Sequence, residues 1–105
     1  MPPILKTYKN AIVEICKSLG IKRMHVFGSM ARNNYNSESD IDFLISFEDG
    51  LSTEEYSENY FTLHRKLRKL LKREVDIITE RSLSNPYFIG KIENDRLLVF
   101  ECSSI

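Results

Sequence analysis

Two short segments of the sequence carry residue types that suit phosphate and metal chemistry. Gly28-Ser29 follows a β-prone run, and Asp40 and Asp42 come after ten intervening residues, at the start of another such run. A strand that ends in Gly-Ser at the start of a helical turn exposes backbone N–H groups without helical partners, and these groups suit a phosphate. Glycine lets the phosphate approach the backbone, and the Ser29 hydroxyl can add a donor. The pair predicts a phosphate-binding turn.

Asp40 and Asp42 should lie on one face of their strand. Strand geometry places the two carboxylates within about 7 Å of each other, so they repel unless a cation lies between them. A hard divalent ion is the natural candidate, since Mg²⁺ usually binds through one or two carboxylates plus substrate phosphates. Taken singly, a Gly-Ser pair is more often an ordinary turn, and an Asp-x-Asp more often faces solvent or caps a loop.

A third carboxylate, Asp76, stands between Val75 and Ile77 in a short apolar run. We expect this run to be a buried strand, in which an aspartate is costly unless it is paired, hydrogen-bonded or metal-bound. Adjacency to the same metal site would satisfy that requirement. The combination of three acids with the Gly-Ser pair favours one metal-assisted phosphate site over a set of unrelated surface features.

The segment GSMARNNYNSESDIDFLI, which begins at Gly28, resembles the signature of the minimal nucleotidyltransferases of the DNA polymerase β superfamily. The segment REVDIIT around Asp76 is similar to the strand that carries that family's third carboxylate, and the resemblance covers most of the chain. It implies that Gly28 and Ser29 hold the triphosphate of ATP. It also implies that Asp40 and Asp42 bind Mg²⁺, while Asp76 helps to bind a second ion and activates the acceptor hydroxyl.

One position departs from this family's pattern, which often has Arg-Gly where this chain has Arg32-Asn33. Asparagine tolerates the left-handed backbone conformation better than most residues, so we expect the turn to be retained. Arg32 is a candidate phosphate ligand, and an exposed arginine beside a loop is an equally good interpretation.

Many small members of this family are encoded beside a HEPN-domain ribonuclease toxin and act as its antitoxin by moving AMP from ATP onto a toxin tyrosine. The resemblance therefore implies an Mg²⁺-dependent protein adenylyltransferase with two Mg²⁺ ions, ATP as substrate and a HEPN toxin as partner, with which it could form a hetero-oligomer. The alternative is a binding module that neutralises the toxin by steric contact. A small-molecule transferase of the aminoglycoside type is disfavoured, because we expect no second domain to hold the drug.

The elements that must position these residues follow from hydrophobic spacing. Apolar residues at steps of three and four predict one helix over 5–19. The same spacing predicts a second helix from Ser52, the first residue of a capping box, to near Lys72-Arg73. Strands are expected at 24–27, 41–47, 75–79 and 97–100, and the last of them is expected to be buried on both faces. A helical turn is expected at 29–33, and a short helix is expected from Asn85-Pro86 to about Glu93. This order predicts an α/β (α+β) fold with a mixed sheet of about four strands packed with helices. The resemblance implies the polymerase β-like nucleotidyltransferase form of it.

Length and composition limit the remaining choices. A chain of 105 residues suits a single domain over 1–105, and its 15 basic and 15 acidic residues give no reason to expect duplex nucleic acid. The two cysteines lack metal-ligand spacing, and no apolar run could span a membrane, so we expect a cytoplasmic protein. The basic run over 64–73 is more often a solvated helix face than a binding patch. Neither histidine is assigned to catalysis, and the tyrosines Tyr56 and Tyr60 and the phenylalanines are expected in the core.

Overall fold

The computed structural model describes residues 3–27, 40–80 and 96–102. Their elements, in chain order, are α1 (Pro3–Thr7), α2 (Lys9–Ser18), β1 (Ile21–Phe27), β2 (Ile41–Phe47), α3 (Thr53–Leu71), β3 (Val75–Thr79) and β4 (Leu97–Glu101). Gly28, Ser29 and Arg32 lie outside the described residues, as do the predicted turn at 29–33 and the helix predicted from Asn85-Pro86.

Within these ranges, four strands form one mixed sheet in the order β3-β2-β1-β4. β1 pairs antiparallel with β2 and with β4, whereas β2 and β3 run parallel. Parallel strands that follow each other in the chain need a crossover connection, and α3 provides it. The prediction of an α/β fold with a mixed four-stranded sheet is confirmed.

One face of the sheet forms the hydrophobic core with the three helices. Phe43 and Ile45 of β2 are fully buried in it, together with Leu63 and Leu67 of α3. Because side chains alternate along a strand, burial of these β2 residues directs Asp42 to the opposite face. The helices cover one side of the sheet, and Asp42 and Asp76, which are in register on β2 and β3, project from the other. No helix in the described ranges is both long enough and apolar enough to cross a membrane.

Four details differ from the sequence-based expectations. The first helix is divided at Tyr8 into α1 and α2, and β1 begins earlier than predicted, at Ile21. The expectation that the last strand is buried on both faces is wrong at Leu98, which is 49% exposed because β4 is an edge strand. The expectation that the phenylalanines lie in the core is wrong at Phe61, which is 68% exposed. Phe61 is rotated about 100° around α3 from its neighbour Tyr60, and Tyr60 points toward the sheet.

The ends of α3 are closed by two different caps. At the N-terminus the Ser52 hydroxyl accepts a hydrogen bond from the Glu55 backbone N–H at 3.1 Å, as the capping box predicted. At the C-terminus Lys72 adopts the left-handed conformation, with φ 55° and ψ 41°, and its N–H bonds to the Arg68 carbonyl. This conformation usually belongs to glycine, because a Cβ atom is strained in it.

The strained cap gives a testable prediction for stability. Lys72→Gly is expected to raise the free energy of unfolding by about 1 kcal/mol, because glycine removes the steric cost of the left-handed conformation. The matched control is Lys69→Gly, which loses the same charge inside the last turn of α3 and should lower the value by about 1 kcal/mol. Urea denaturation followed by circular dichroism measures both. A Lys72→Gly protein that unfolds at lower urea than wild type would contradict the prediction.

Candidate functional site

The three predicted carboxylates belong to residues at the same end of the sheet. Asp40 immediately precedes β2, Asp42 is the second residue of β2, and Asp76 is the second residue of β3. In the parallel register Asp42 is directly opposite Asp76. Neighbouring strands are about 4.8 Å apart and residues in register project from the same face, so these two carboxylates share one small region.

The end of β1 reaches the same region. Phe27, its last residue, is paired with Asp42 across the antiparallel ladder. Gly28 and Ser29 follow Phe27 directly in the sequence. Because they lie outside the described residues, their assignment to phosphate remains a prediction, as does that of Arg32.

The exposure of the acids corrects one step of the sequence argument. Asp76 is exposed rather than buried, because β3 lies at the edge of the sheet. The inference that a buried aspartate needs a metal therefore does not hold at this position. Asp40 is also exposed, whereas Asp42 is half-buried. What connects Asp76 to the other acids is its register with Asp42, which the sequence alone did not reveal.

The chemistry of these side chains fits a hard divalent cation. Carboxylate oxygens are the ligands that Mg²⁺ uses in proteins, commonly with substrate phosphates completing the coordination. In residues 3–27, 40–80 and 96–102, no three His, Cys, Asp or Glu side chains are gathered closely enough to form a metal-binding group. The structure therefore brings Asp42 and Asp76 together as a pair, with Asp40 at the entrance to β2.

Two side chains of α3 bond to the main chain of β3 on either side of Asp76. The Tyr60 hydroxyl donates to the Ile77 carbonyl at 2.9 Å. The His64 Nε2 atom lies 3.0 Å from the Val75 carbonyl, and since a carbonyl can only accept, Nε2 carries the proton in this contact. Tyr60 and His64 are both half-buried.

A third polar contact is made one turn further along α3. Arg68 Nη2 lies 2.8 Å from Glu74 Oε1, in an exposed ion pair just before β3 begins. Tyr60, His64 and Arg68 recur every four residues and therefore share one side of α3. From the sequence, Tyr60 is expected in the core and His64 is not assigned to catalysis. The four-residue spacing of these polar side chains was the available signal.

A buried histidine lies on the same face of the sheet as Asp42. His25 stands two residues before Phe27 on β1, is 9% exposed, and has no hydrogen-bond partner for Nδ1 among the described residues. Burial, with a further contribution from Arg96, lowers the pKa of His25 below its usual value of 6.5, although Glu80 acts in the opposite direction. The neutral imidazole is therefore the form that the fold favours.

This lowered pKa predicts how stability depends on pH. Below about pH 6.5 the unfolded chain binds a proton at this position that the folded protein does not bind. The free energy of unfolding should therefore fall as the pH drops from about 6.5 toward the folded pKa, with a slope of up to about 1.4 kcal/mol per pH unit from this group. His25→Leu should remove that contribution. Leu98→Val, which changes a residue paired with His25 on β4, should retain it.

Urea titrations of the three proteins between pH 5 and pH 8 measure the effect. The pH dependence that other groups contribute is common to all three and cancels in the difference from wild type. An His25→Leu protein with the same pH dependence as wild type would show that His25 titrates alike in the folded and unfolded states.

Comparison with known proteins places the chain among catalytic domains. Residues 9–99 match the family model described as nucleotidyltransferase domain. A protein of Methanocaldococcus jannaschii that is provisionally named a protein adenylyltransferase is 36% identical over 96 residues, which is 91% of each chain. The family-model match over residues 9–99 covers the segments that contain the three acids and the Gly-Ser pair.

Two solved structures have similar folds. One, provisionally described as a minimal nucleotidyltransferase, has a TM-score of 0.69 and 31% identity, and the match covers 89% of this chain and 90% of that one. The other contains a tri-AMPylated HEPN toxin of Shewanella oneidensis in complex with an MNT antitoxin. It matches with a TM-score of 0.63 and 19% identity over 93% of this chain and 73% of that one. At 19% identity the second similarity concerns the fold alone.

Proposed function

Because this chain belongs to the nucleotidyltransferase domain family and resembles its minimal members in sequence and fold, we propose that it transfers AMP from ATP to a tyrosine hydroxyl of a partner HEPN ribonuclease toxin and so acts as the antitoxin. The observation that carries this proposal is the register of Asp42 with Asp76 at the start of two parallel strands, beside the last residue of β1. The enzyme type agrees with the name of the Methanocaldococcus jannaschii relative.

The resemblance to the minimal nucleotidyltransferases implies the roles of the three acids, and their positions at the starts of β2 and β3 are compatible with those roles. Asp40 and Asp42, at the start of β2, would hold Mg²⁺ together with the ATP phosphates, and Asp76 would help to hold a second ion on the acceptor side. When bound, Mg²⁺ neutralises the negative charge on the transferring phosphoryl group and on the leaving pyrophosphate. By holding the ions, the carboxylates would keep the acceptor oxygen and the α-phosphate close enough for in-line attack.

The exposure of Asp76 suits an acceptor that arrives on another molecule. Its carboxylate lies on an edge strand and is open to solvent, whereas Asp42 is half-buried inside the sheet. Asp76 can accept the proton of the incoming hydroxyl as the oxygen bonds to the α-phosphorus and the bond to pyrophosphate breaks. Gly28 and Ser29, which follow β1 in the sequence, would hold the triphosphate, with Arg32 as a further phosphate contact.

The partner assignment rests on chemistry and on the related complex. A protein acceptor matches the name of the Methanocaldococcus jannaschii relative, and an MNT antitoxin of this fold occurs in complex with an AMPylated HEPN toxin in Shewanella oneidensis. A single catalytic domain over 1–105 would form a hetero-oligomer with such a toxin in the cytoplasm, where the ribonuclease meets its RNA.

Intact-mass analysis tests this function directly. A purified HEPN-domain protein is incubated with this chain, Mg²⁺ and each nucleoside triphosphate in turn. We expect its mass to increase by one or more adenylate groups with ATP, and peptide mapping to place them on tyrosine. Omission of Mg²⁺ is the control. A toxin that is neutralised without any change in mass would instead support inhibition by steric contact.

A further inference from the structure

The structure shows a fixed connection between α3 and the strand that carries Asp76. We infer that Tyr60 and His64 are positioning residues, which act through the main chain of β3 to hold the Asp76 carboxylate in place for the transfer step. This inference rests on the proposed function, because it requires that Asp76 takes part in the reaction.

The position of β3 makes such a connection necessary. β3 has five residues and lies at the edge of the sheet, and among the residues that the structure describes only β2 forms a ladder with it. A short edge strand with one hydrogen-bonded neighbour is among the more easily opened parts of a fold. Asp76 is exposed, so its own side chain is not held by surrounding core atoms.

The two hydrogen bonds from α3 reach the residues immediately before and after Asp76 in the sequence. The Ile77 carbonyl that accepts from Tyr60 follows Asp76, and the Val75 carbonyl that accepts from His64 precedes it. Each peptide unit is planar, so fixing the carbonyls of Val75 and Ile77 restricts the orientation of the backbone around Asp76 and the direction of its Cβ. The β2 ladder restrains the strand on its other side.

Packing alone does not require the two polar groups. The Tyr60 ring makes an edge-on contact with Phe61, at 5.5 Å between centroids, and a phenylalanine could make the same contact. What the hydroxyl adds is the bond to Ile77. The imidazole of His64 likewise adds a bond that a leucine of similar size could not form. These groups therefore fit a role in orientation.

The experiment compares loss of the hydrogen bonds that Tyr60 and His64 make to β3 with loss of another hydrogen bond from α3. The test variants are Tyr60→Phe and His64→Leu, and His64→Gln is the conservative variant, because its amide can still donate to the Val75 carbonyl. The matched control is Asn59→Leu, which removes the 3.0 Å bond from Asn59 Nδ2 to the Leu19 carbonyl and leaves β3 untouched.

The mobility of β3 and the transfer reaction are measured on each protein. Hydrogen–deuterium exchange of the segment 75–79 reports the mobility of β3 without nucleotide, metal or partner. Single-turnover transfer of adenylate to the HEPN-domain partner, together with calorimetric titration of Mg-ATP, separates the reaction from nucleotide binding.

We expect faster exchange over 75–79 in Tyr60→Phe and His64→Leu, with Mg-ATP affinity within about twofold of wild type. The transfer rate should fall by about tenfold in each, since small displacements of a reacting group reduce rates strongly. His64→Gln should recover most of the rate, and Asn59→Leu should match wild type in both measurements. Wild-type transfer rates in Tyr60→Phe and His64→Leu would overturn the inference.

A double-mutant cycle with Asp76 distinguishes positioning from a general loss of stability. In an Asp76→Asn background, Tyr60→Phe should lower the transfer rate no further, because the carboxylate that it positions is already absent. A full additional loss would overturn the inference. If Asp76→Asn itself transfers at the wild-type rate, the proposed role of Asp76 fails and the inference fails with it. A slow Asp76→Asn protein beside an unaffected Tyr60→Phe protein refutes the positioning role alone.

Discussion

An Asp42→Asn protein should bind Mg-ATP weakly and transfer adenylate at least about 10³-fold more slowly than wild type, the scale on which removal of a principal electrostatic group acts. Asp42 is the half-buried acid of the site, paired with Phe27 on one side and with Asp76 on the other. Under the proposed function, it is the carboxylate that would contact both the nucleotide-bound ion and the acceptor side. Asparagine has nearly the same size but lacks the negative charge, so the fold should be retained.

The matched control for this substitution is Asp49→Asn, which makes the same chemical change in the exposed turn after β2, at the other end of the strand. Calorimetric titration measures Mg-ATP affinity, and single-turnover assays measure transfer to the HEPN-domain partner. Far-ultraviolet circular dichroism checks the fold of both proteins. A folded Asp42→Asn protein with wild-type affinity for Mg-ATP would remove Asp42 from the proposed site.

Asp76→Asn should give a different result. We expect Mg-ATP affinity within a few-fold of wild type and a transfer rate lower by about 10²-fold or more, the scale of a lost general base. The reason is that Asp76 lies exposed on the edge strand, where it can serve the acceptor in the transition state rather than the bound nucleotide. The substitution also removes one negative charge opposite Asp42, so stability should be equal to wild type or higher.

The control here is Glu74→Gln, which neutralises another exposed acid next to β3 and loses its ion pair with Arg68. This exposed pair should contribute little to stability, so Glu74→Gln should transfer at close to the wild-type rate. ATP affinity and single-turnover transfer must be measured on the same preparations. A wild-type transfer rate in Asp76→Asn would make that carboxylate structural and would disprove the three-acid site.

The local pattern of residues was sufficient for the elements that carry the acids. β2 and β3 have the bounds that their apolar runs predicted, Ile41–Phe47 and Val75–Thr79. Alternation along β2 correctly separated Phe43 and Ile45 from Asp42, because the two faces of a strand differ at every step. The Ser52 cap of α3 was also predictable, since its bond to Glu55 spans only three residues.

The sequence by itself determined which residue types could bind a phosphate and a cation, and on which side of a strand Asp42 stands. Only the tertiary structure decided that Asp42 and Asp76 lie in register, that β3 is an edge strand with an exposed Asp76, and that Tyr60 and His64 bond to β3. The physical reason is the range of the interactions. Periodicity encodes the face that each element buries, whereas strand order and pairing depend on contacts between segments that are distant in the chain.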